Sequence, residues 1–521
     1  MRRGALACPR NRSGDWPTTP AVEAAACTKP ANACNYARRE PETTLLYQTV
    51  QTHWRQFLAD VEAEGGELPA FVRDEFEAYL RCGILSHGFL RVRCKDCGHS
   101  RVVGFSCKRR GFCPSCMGRR MADTAAFCVE NLFPRVPVRQ FVLSVPMWLR
   151  FRMAYSPPLT SAVLRCFIAA VTSDLRRRAR RRRIHGDLET GAMTVVQRFG
   201  TSLQLNVHFH TLAVDGVWAR QNDGRLAFHP LPAPSDQDVA RIARAVCRKV
   251  QRMTARGKEG DEQISLLDNL ANASVQGLVA TGPRRGCRVL RLGKEGDDSH
   301  AEITGKRCAD VAGYNVHANT SARAHDRKRL EILVKYLARP PIAHDRLSKL
   351  PDGRLALQFK QPWRDGTSHV VFTPQELIEK LIPLIPRPRA HVIRYHGILG
   401  PAAKDRHKIV PRSGPVQYGR ETSQPKPHQI DASPRLNRLP WAVLLKRVFL
   451  VDVLECPKCQ GRMEILAVVT KPASVRRYLE GTGLPSEAPR AHVARPPPEA
   501  DWAEASAGND DFYADPPSPE D

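Results

Sequence analysis

The chain has 521 residues, of which 42% are hydrophobic, with 80 Lys or Arg against 53 Asp or Glu and a net charge of +27 at pH 7. Residues 496–521 hold eight acidic residues and no Lys or Arg, so the remainder carries about +35. A surplus of that size calls for a polyanionic partner, most simply nucleic acid. No apolar run reaches the roughly 18 residues of a membrane span, and the charged N-terminus lacks the apolar stretch of a signal peptide, so a cytoplasmic protein without a membrane partner is expected.

Taken in order, residues 1–40 show no periodicity and read as a disordered extension, or as sequence ahead of the natural start. From "TLLYQTVQTHWRQFLADVEAE" the apolar residues Leu46, Val50, Trp54, Leu58 and Val61 recur every three or four positions, which predicts a helix. A second helix is predicted at "PAFVRDEFEAYLRCGI". A cysteine-rich block follows, and 41–130 are expected to form one zinc-binding, DNA-contacting domain. Strands are predicted at "RQFVLSVP", "MTVVQRF" and "LNVHFHTLAVDGVW", and helices at "LTSAVLRCFIAAVTSDLRRRARRRR", "DQDVARIARAVCRKVQRM" and "DRKRLEILVKYLA". Alternating helix and strand over 131–400 favours an α/β or α+β domain. Residues 401–439 have a linker composition, 440–485 read as a small folded segment, and 486–521 as a disordered acidic tail. No internal repeat is present.

The block "CKDCGHSRVVGFSCKRRGFCPSC" carries Cys94-x2-Cys97 and Cys113-x2-Cys116, 15 residues apart. That spacing suits four thiolates around one structural zinc. Cys107 inside the loop and Cys82, His87 and His99 nearby leave open a replaced ligand or a second ion. A closed four-ligand site has no position for substrate, so the block is assigned to structure and DNA contact. Arg109, Arg110, Arg119 and Arg120 flank it, within reach of phosphates. Cys456 and Cys459 in "ECPKCQGRM" form half of a site.

In "LQLNVHFHTLAVDGVW", His208 and His210 project from one face of a strand, about 6.6 Å apart at the backbone, near enough to share an ion. An H-x-H alone is weak, since two satisfied core histidines would look the same. Its setting in a basic chain with a zinc module points to metal-dependent chemistry on DNA, which needs a nucleophile. A tyrosine suits, because a phosphotyrosine link conserves the phosphodiester energy. Tyr336 is best placed of the ten tyrosines, at the end of a helix before Pro340 and flanked by the cations Lys335 and Arg339. Alone, Tyr336 would read as a ring packed on a sheet. The run at 176–183, including Arg176, Arg177 and Arg178, reads as a phosphate-tracking surface.

The ordered set "FSCKRRGFCPSCMGRRMADTAA", "VPVRQFVLSVPMWLRF", "VQRFGTSLQLNVHFHTLAVDGV", "LVKYLARPPIA" and "HVIRYHGILGP" resembles the HUH rolling-circle transposases of bacterial insertion sequences, in particular those of ISCR elements, over roughly residues 45–480. The resemblance implies an α+β fold: an HUH endonuclease domain with a central antiparallel sheet flanked by helices, preceded by a helical, zinc-ribbon-like module. It also implies a nucleoid-associated protein acting on single-stranded ends of a mobile element. His208 and His210 match the metal pair, Phe209 the apolar residue between them, and Tyr336 the nucleophile. Many members carry a second tyrosine four positions earlier; here that position is Ile332, which implies the single-tyrosine branch. Mg²⁺ or Mn²⁺ is the expected catalytic ion and Zn²⁺ the structural one. A third catalytic ligand is needed, with Gln197 first and Gln204 and Asn206 following. Tyr395 is the next tyrosine to consider, and Arg394 and His396 could contact DNA. The alternatives are a plasmid replication initiator or relaxase with the same chemistry, and a non-catalytic zinc-dependent DNA-binding protein. A TIM-barrel metallohydrolase would need eight βα units, which the sequence does not show.

Overall fold

The helix predicted first forms as α1 (Leu45–Ala63), capped by the Thr44 side chain, and buries Leu46, Val50, Trp54, Phe57 and Val61 along one stripe. The computed structural model describes residues 39–255, 265–292, 305–363, 365–411 and 454–490, with 492 and 494. The expected N-terminal extension, most of the linker, the start of the 440–485 segment and nearly all of the acidic tail lie outside the described residues. Helix α2 (Ala70–Leu80) stacks Phe76 on Trp54, ring centroids 4.0 Å apart. A hairpin of β1 (Phe89–Cys94) and β2 (Ser100–Gly104) then leads to α3 (Pro114–Phe127).

Strand β3 (Val138–Ser144) is followed by α4 (Met147–Tyr155) and the long α5 (Pro157–Arg181), then β4 (Leu188–Glu189), β5 (Gly191–Phe199), β6 (Leu205–Val214), β7 (Gly216–Arg220) and β8 (Leu226–Pro230). Helices α6 (Asp236–Thr254) and α7 (Leu266–Gln276) both open on complete capping boxes, Ser235 with Asp238 and Ser265 with Asp268, which satisfy otherwise orphaned N–H groups. Short strands β9 (Leu290–Leu292), β10 (Cys308–Val311), β11 (Tyr314–His317) and β12 (Ser321–Ala322) precede α8 (Arg327–Leu337). Next come β13 (Leu347–Lys349), β14 (Leu355–Gln358), β15 (His369–Phe372), α9 (Pro374–Leu381), β16 (Ile393–Gly397) and α10 (Arg406–Ile409). After the linker come β17 (Met463–Val469) and α11 (Pro472–Gly481).

The main sheet is antiparallel in the order β10-β11-β3-β6-β5-β16, with β12 added beside β3. Strand β6 sits at its centre, between β3 and β5, and is buried along nearly its whole length. The run predicted as one strand through Trp218 is in fact two, broken at Asp215. That carboxylate is buried against Arg139, 2.7 Å away, and the chain leaves there to build a second small sheet, β4-β7-β8. A third sheet, β13-β14-β15-β9, and a fourth, β17-β1-β2, complete the mixed helix and sheet architecture. Helix α1 packs on α9 and shares a core with the main sheet. By length and composition α5 is apolar enough to cross a membrane; here Val163, Leu164, Phe167, Val171 and Leu175 are buried in the protein core.

Candidate active site and cysteine clusters

Apolar residues on both faces and a neighbour on each side hold β6 rigid, which fixes the two histidines. Their ring centroids lie 4.8 Å apart, and both rings are buried on the face that α8 covers. His208 Nδ1 is 2.7 Å from the Asn206 carbonyl oxygen, so Nδ1 carries the proton and the lone pair on Nε2 is free for a metal. The Gln140 Nε2 lies 2.9 Å from His210 Nδ1 and donates to it, so here Nδ1 accepts and Nε2 carries the ring proton; turning the Gln140 amide over would let its oxygen accept from Nδ1 and free Nε2 for a metal. Burial lowers the His208 pKa to about 4, aided by Arg150 and Arg339, while the Asn206 carbonyl opposes. Burial, His208 and Arg339 hold His210 well below its ordinary value. Both rings are neutral at pH 7, as metal ligation requires.

Tyr336 stands on α8 with its ring 6.0 Å from that of His210 and perpendicular to it. Unlike the histidines it is 45% exposed. The Arg339 guanidinium lies 4.6 Å from the Tyr336 ring centroid and 5.7 Å from that of Phe199, a cation–π sandwich that orients the phenol. Ile332, one turn earlier, is also exposed. Lys335 pairs with Glu331 at 2.7 Å, so its charge is directed along the helix.

The three candidate third ligands separate clearly. Gln197 is in register with His208 across the strand pair, hence on the same face, and its Nε2 donates to the Leu337 carbonyl at 3.3 Å; its oxygen is left for a ligand. Asn206 alternates onto the histidine face, and its Oδ1 is buried without a hydrogen-bond partner, an unmet acceptor that a cation would satisfy. Gln204 falls ahead of β6, in the turn, where it accepts from Ser202 and lies against Gly200; that engagement argues against it. Gln140 was missed because only the pairing of β3 with β6 brings it to His210. Tyr395 packs against Phe127, and burial raises it to about 12. His396 hydrogen-bonds Thr194 at 3.1 Å, on the opposite face of the sheet from His208 and His210.

The four cysteines expected around one ion are divided between two groups. Cys113 and Cys116 close on Cys82 and Cys107, all four Sγ atoms within 4.8 Å of one another. Cys94 and Cys97, at the tip of the β1–β2 hairpin, meet Cys456 and Cys459 instead. The physical reason is geometric: β1 and β2 carry the first C-x2-C pair on their hairpin tip, whereas Cys113 caps α3 against α2. His87 and His99 belong to neither group. In the first group the Cys82–Cys116, Cys107–Cys116 and Cys82–Cys113 separations are 3.6, 3.3 and 3.7 Å, close to the roughly 3.8 Å edge of a tetrahedron with Zn–S bonds of about 2.3 Å. The donor set is therefore the right one for zinc.

The arginines are less uniform than their runs suggest. Arg178 is buried and held by Asp174 at 2.8 Å, so it is a structural residue and not a phosphate contact. Arg177 also pairs with Asp174. Arg176 and Arg180, on another stripe of α5, line a groove of about 520 Å³ with Arg165, Thr172, Ser173 and His396. Among the described residues no carboxylate pairs with Arg165 or Arg180. Near the first cysteine group, Arg109 faces Asp74 at 3.9 Å, Arg110 donates to the Ala390 carbonyl, Arg119 to Ser106 and Arg120 to the Lys108 carbonyl.

Two family models match the chain. Residues 49–145 match Zn_Tnp_IS91, described as "Transposase zinc-binding domain", a span that holds the whole first cysteine group. Residues 191–407 match Y2_Tnp, described as "Putative transposase", a span that holds His208, His210 and Tyr336. No curated protein and no solved structure matches. Zinc is thus a structural component of the N-terminal region and DNA is the partner. Together the two matches support an insertion-sequence DNA transposase with a zinc-binding domain ahead of its transposase domain.

Proposed function

We propose that this transposase is an HUH-type endonuclease that nicks and rejoins single-stranded DNA through Tyr336, as a rolling-circle transposase of the single-tyrosine branch. The observation that carries the reading is the exposed Tyr336 ring 6.0 Å from buried His210, beside a second neutral histidine. His208 and His210, with an oxygen from Gln197 or Asn206, would hold Mg²⁺ or Mn²⁺. Such an ion, when bound, neutralises charge on the scissile phosphate.

The remaining work falls to the chain. The Tyr336 oxygen attacks phosphorus, forming a 5′-phosphotyrosine while the bond to the 3′ oxygen breaks. The phenolic proton passes to solvent, and the departing 3′ oxygen takes one up. Attack of a 3′-OH on the phosphotyrosine reverses the step and joins strands. Arg339 holds the ring in place by stacking on it. Ile332 in place of a second tyrosine supports one covalent link at a time.

The test is cleavage of a labelled single-stranded oligonucleotide from the element's end with Mn²⁺, comparing wild type and Tyr336→Phe on a denaturing gel. A 5′-linked adduct with wild type alone is expected. An adduct that survives in Tyr336→Phe rejects Tyr336 as the nucleophile, and cleavage of duplex DNA alone rejects the single-strand reading.

A further inference from the structure

The second cysteine group lies half inside the matched zinc-binding domain and half beyond both matched regions. We infer that Cys94, Cys97, Cys456 and Cys459 form a second zinc site, which clasps the C-terminal segment onto the N-terminal module.

The geometry is that of two interlocked knuckles. On the first, the Gly98 amide donates to the Cys94 carbonyl at 3.2 Å and the Cys94 amide to the His99 carbonyl at 2.8 Å. On the second, the Gln460 amide donates to the Cys456 carbonyl and the Cys456 amide to the Gly461 carbonyl, both at 2.9 Å. Each turn closes through the left-handed region, Gly98 at φ +71° and Gln460 at +61°. A Cβ on Gly461 would come within 3.2 Å of Cys459 Sγ and displace the exposed Asp96 carboxylate, so the two knuckles are closely packed. Across them, Cys94 and Cys459 are 3.4 Å apart, and Cys97 and Cys456 3.5 Å. Four thiols converging within 4.8 Å of one another fit one tetrahedral soft ion; two crossed disulfides would pair them at about 2.05 Å.

The surroundings explain why an ion is needed. Strand β17 pairs antiparallel with β1 from Phe89↔Val469 to Cys94↔Met463, making β1 the centre of a three-stranded ribbon. The core beside the cysteines is small, Val92 and Met463 with Cys94 and Cys456, and α11 adds Val475 and Leu479 against Phe89. So little apolar burial does not hold a short segment in place by itself. The two sites differ in access. Cys97 and Cys459 are exposed, whereas Cys82, Cys113 and Cys116 are buried, so the second ion exchanges faster than the first.

The test counts metal in the purified full-length protein, independently of nuclease activity. Two zinc ions per chain are expected in wild type, and one in Cys456→Ser/Cys459→Ser. With Co²⁺ substituted, the thiolate-to-metal and d–d absorbance of the double variant falls by half. A trypsin-nicked C-terminal fragment stays bound to wild type and separates from the variant. One zinc per wild-type chain, two zincs retained in the variant, or four fewer free thiols under denaturing, non-reducing conditions would each overturn the inference. If the double variant fails to fold, Cys459→His, which keeps a ligand, is expected to restore folding with two ions; folding with only one ion overturns the clasp. In wild type a chelator is expected to remove one zinc quickly and the other slowly, with the fast phase absent from the double variant; a fast phase retained in the variant has the same negative meaning.

Discussion

Gln197 and Leu337 are joined by a hydrogen bond of 3.3 Å from the Gln197 amide nitrogen to the Leu337 carbonyl, and Gln197 is also in register with His208. One side chain thus fastens the tyrosine helix to β5, the strand paired with that of the histidines. Replacing it with Ala removes a buried hydrogen bond, for a stability loss of about 1 kcal/mol. If its oxygen also completes the metal site, the Mn²⁺ concentration for half-maximal cleavage rises about tenfold or more, the scale of lost supporting groups. An unchanged Mn²⁺ requirement would move the ligand to Asn206, whose buried Oδ1 lacks a partner.

Arg339 stacks on both Tyr336 and Phe199. Arg339→Lys keeps the charge but loses the planar stack, so cleavage is expected to fall by about tenfold, with single-stranded DNA binding little changed. Equal rates for Arg339→Lys and wild type would show that charge alone matters at this position.

The buried histidines make stability depend on pH without added Mg²⁺ or Mn²⁺. In the folded protein His208 is lowered from 6.5 to about 4 and His210 is held well below its ordinary value. Between roughly pH 6.5 and 4 the unfolded chain therefore binds protons that the folded chain does not, so stability falls as pH drops through that window. Thermal melts at pH 7 and pH 5 should show a larger decrease for wild type than for His208→Gln/His210→Gln. Parallel decreases would mean that the loss comes from other groups.

Arg178 and Arg180 lie two residues apart in one arginine run, yet opposite outcomes are expected. Arg178→Ala removes one of the two cations on buried Asp174 and leaves Arg177 on the other oxygen, so it should cost about 2 kcal/mol, the scale of a lost charge-assisted hydrogen bond. Arg180→Ala should change stability by under about 0.5 kcal/mol, while the slope of log affinity against log salt for single-stranded DNA drops by about 0.7 if the residue meets a phosphate. A salt slope identical to wild type would remove the groove from the DNA path.

That pair also marks where the sequence is legible. The 3.6-residue period turns "RRRARRRR" into two stripes of α5, and only packing shows which stripe meets Asp174. The helices α1, α2, α5, α6 and α8 and the H-x-H strand follow from local apolar periodicity, which is why they can be read directly. Strand alternation also puts His208 and His210 on one face. What periodicity leaves out is pairing between distant segments. Gln140 reaches His210 through the β3–β6 register, and the cysteines divide as they do because β17 lies beside β1. The regular C-x2-C spacing was equally compatible with a single ion, since it contains no information about Cys456.

The pairing of β1 with β17 also sets an order of events during synthesis. Cys97 and Cys456 are 359 residues apart, so at about 5–20 residues per second roughly 20–70 s separate their emergence from the ribosome. Throughout that interval the tip of the first hairpin presents two thiols with no counterparts, while the transposase domain is already complete enough to fold. The N-terminal ribbon is therefore finished last, and a message broken before codon 456 yields a chain that holds His208, His210 and Tyr336 but whose ribbon is never closed.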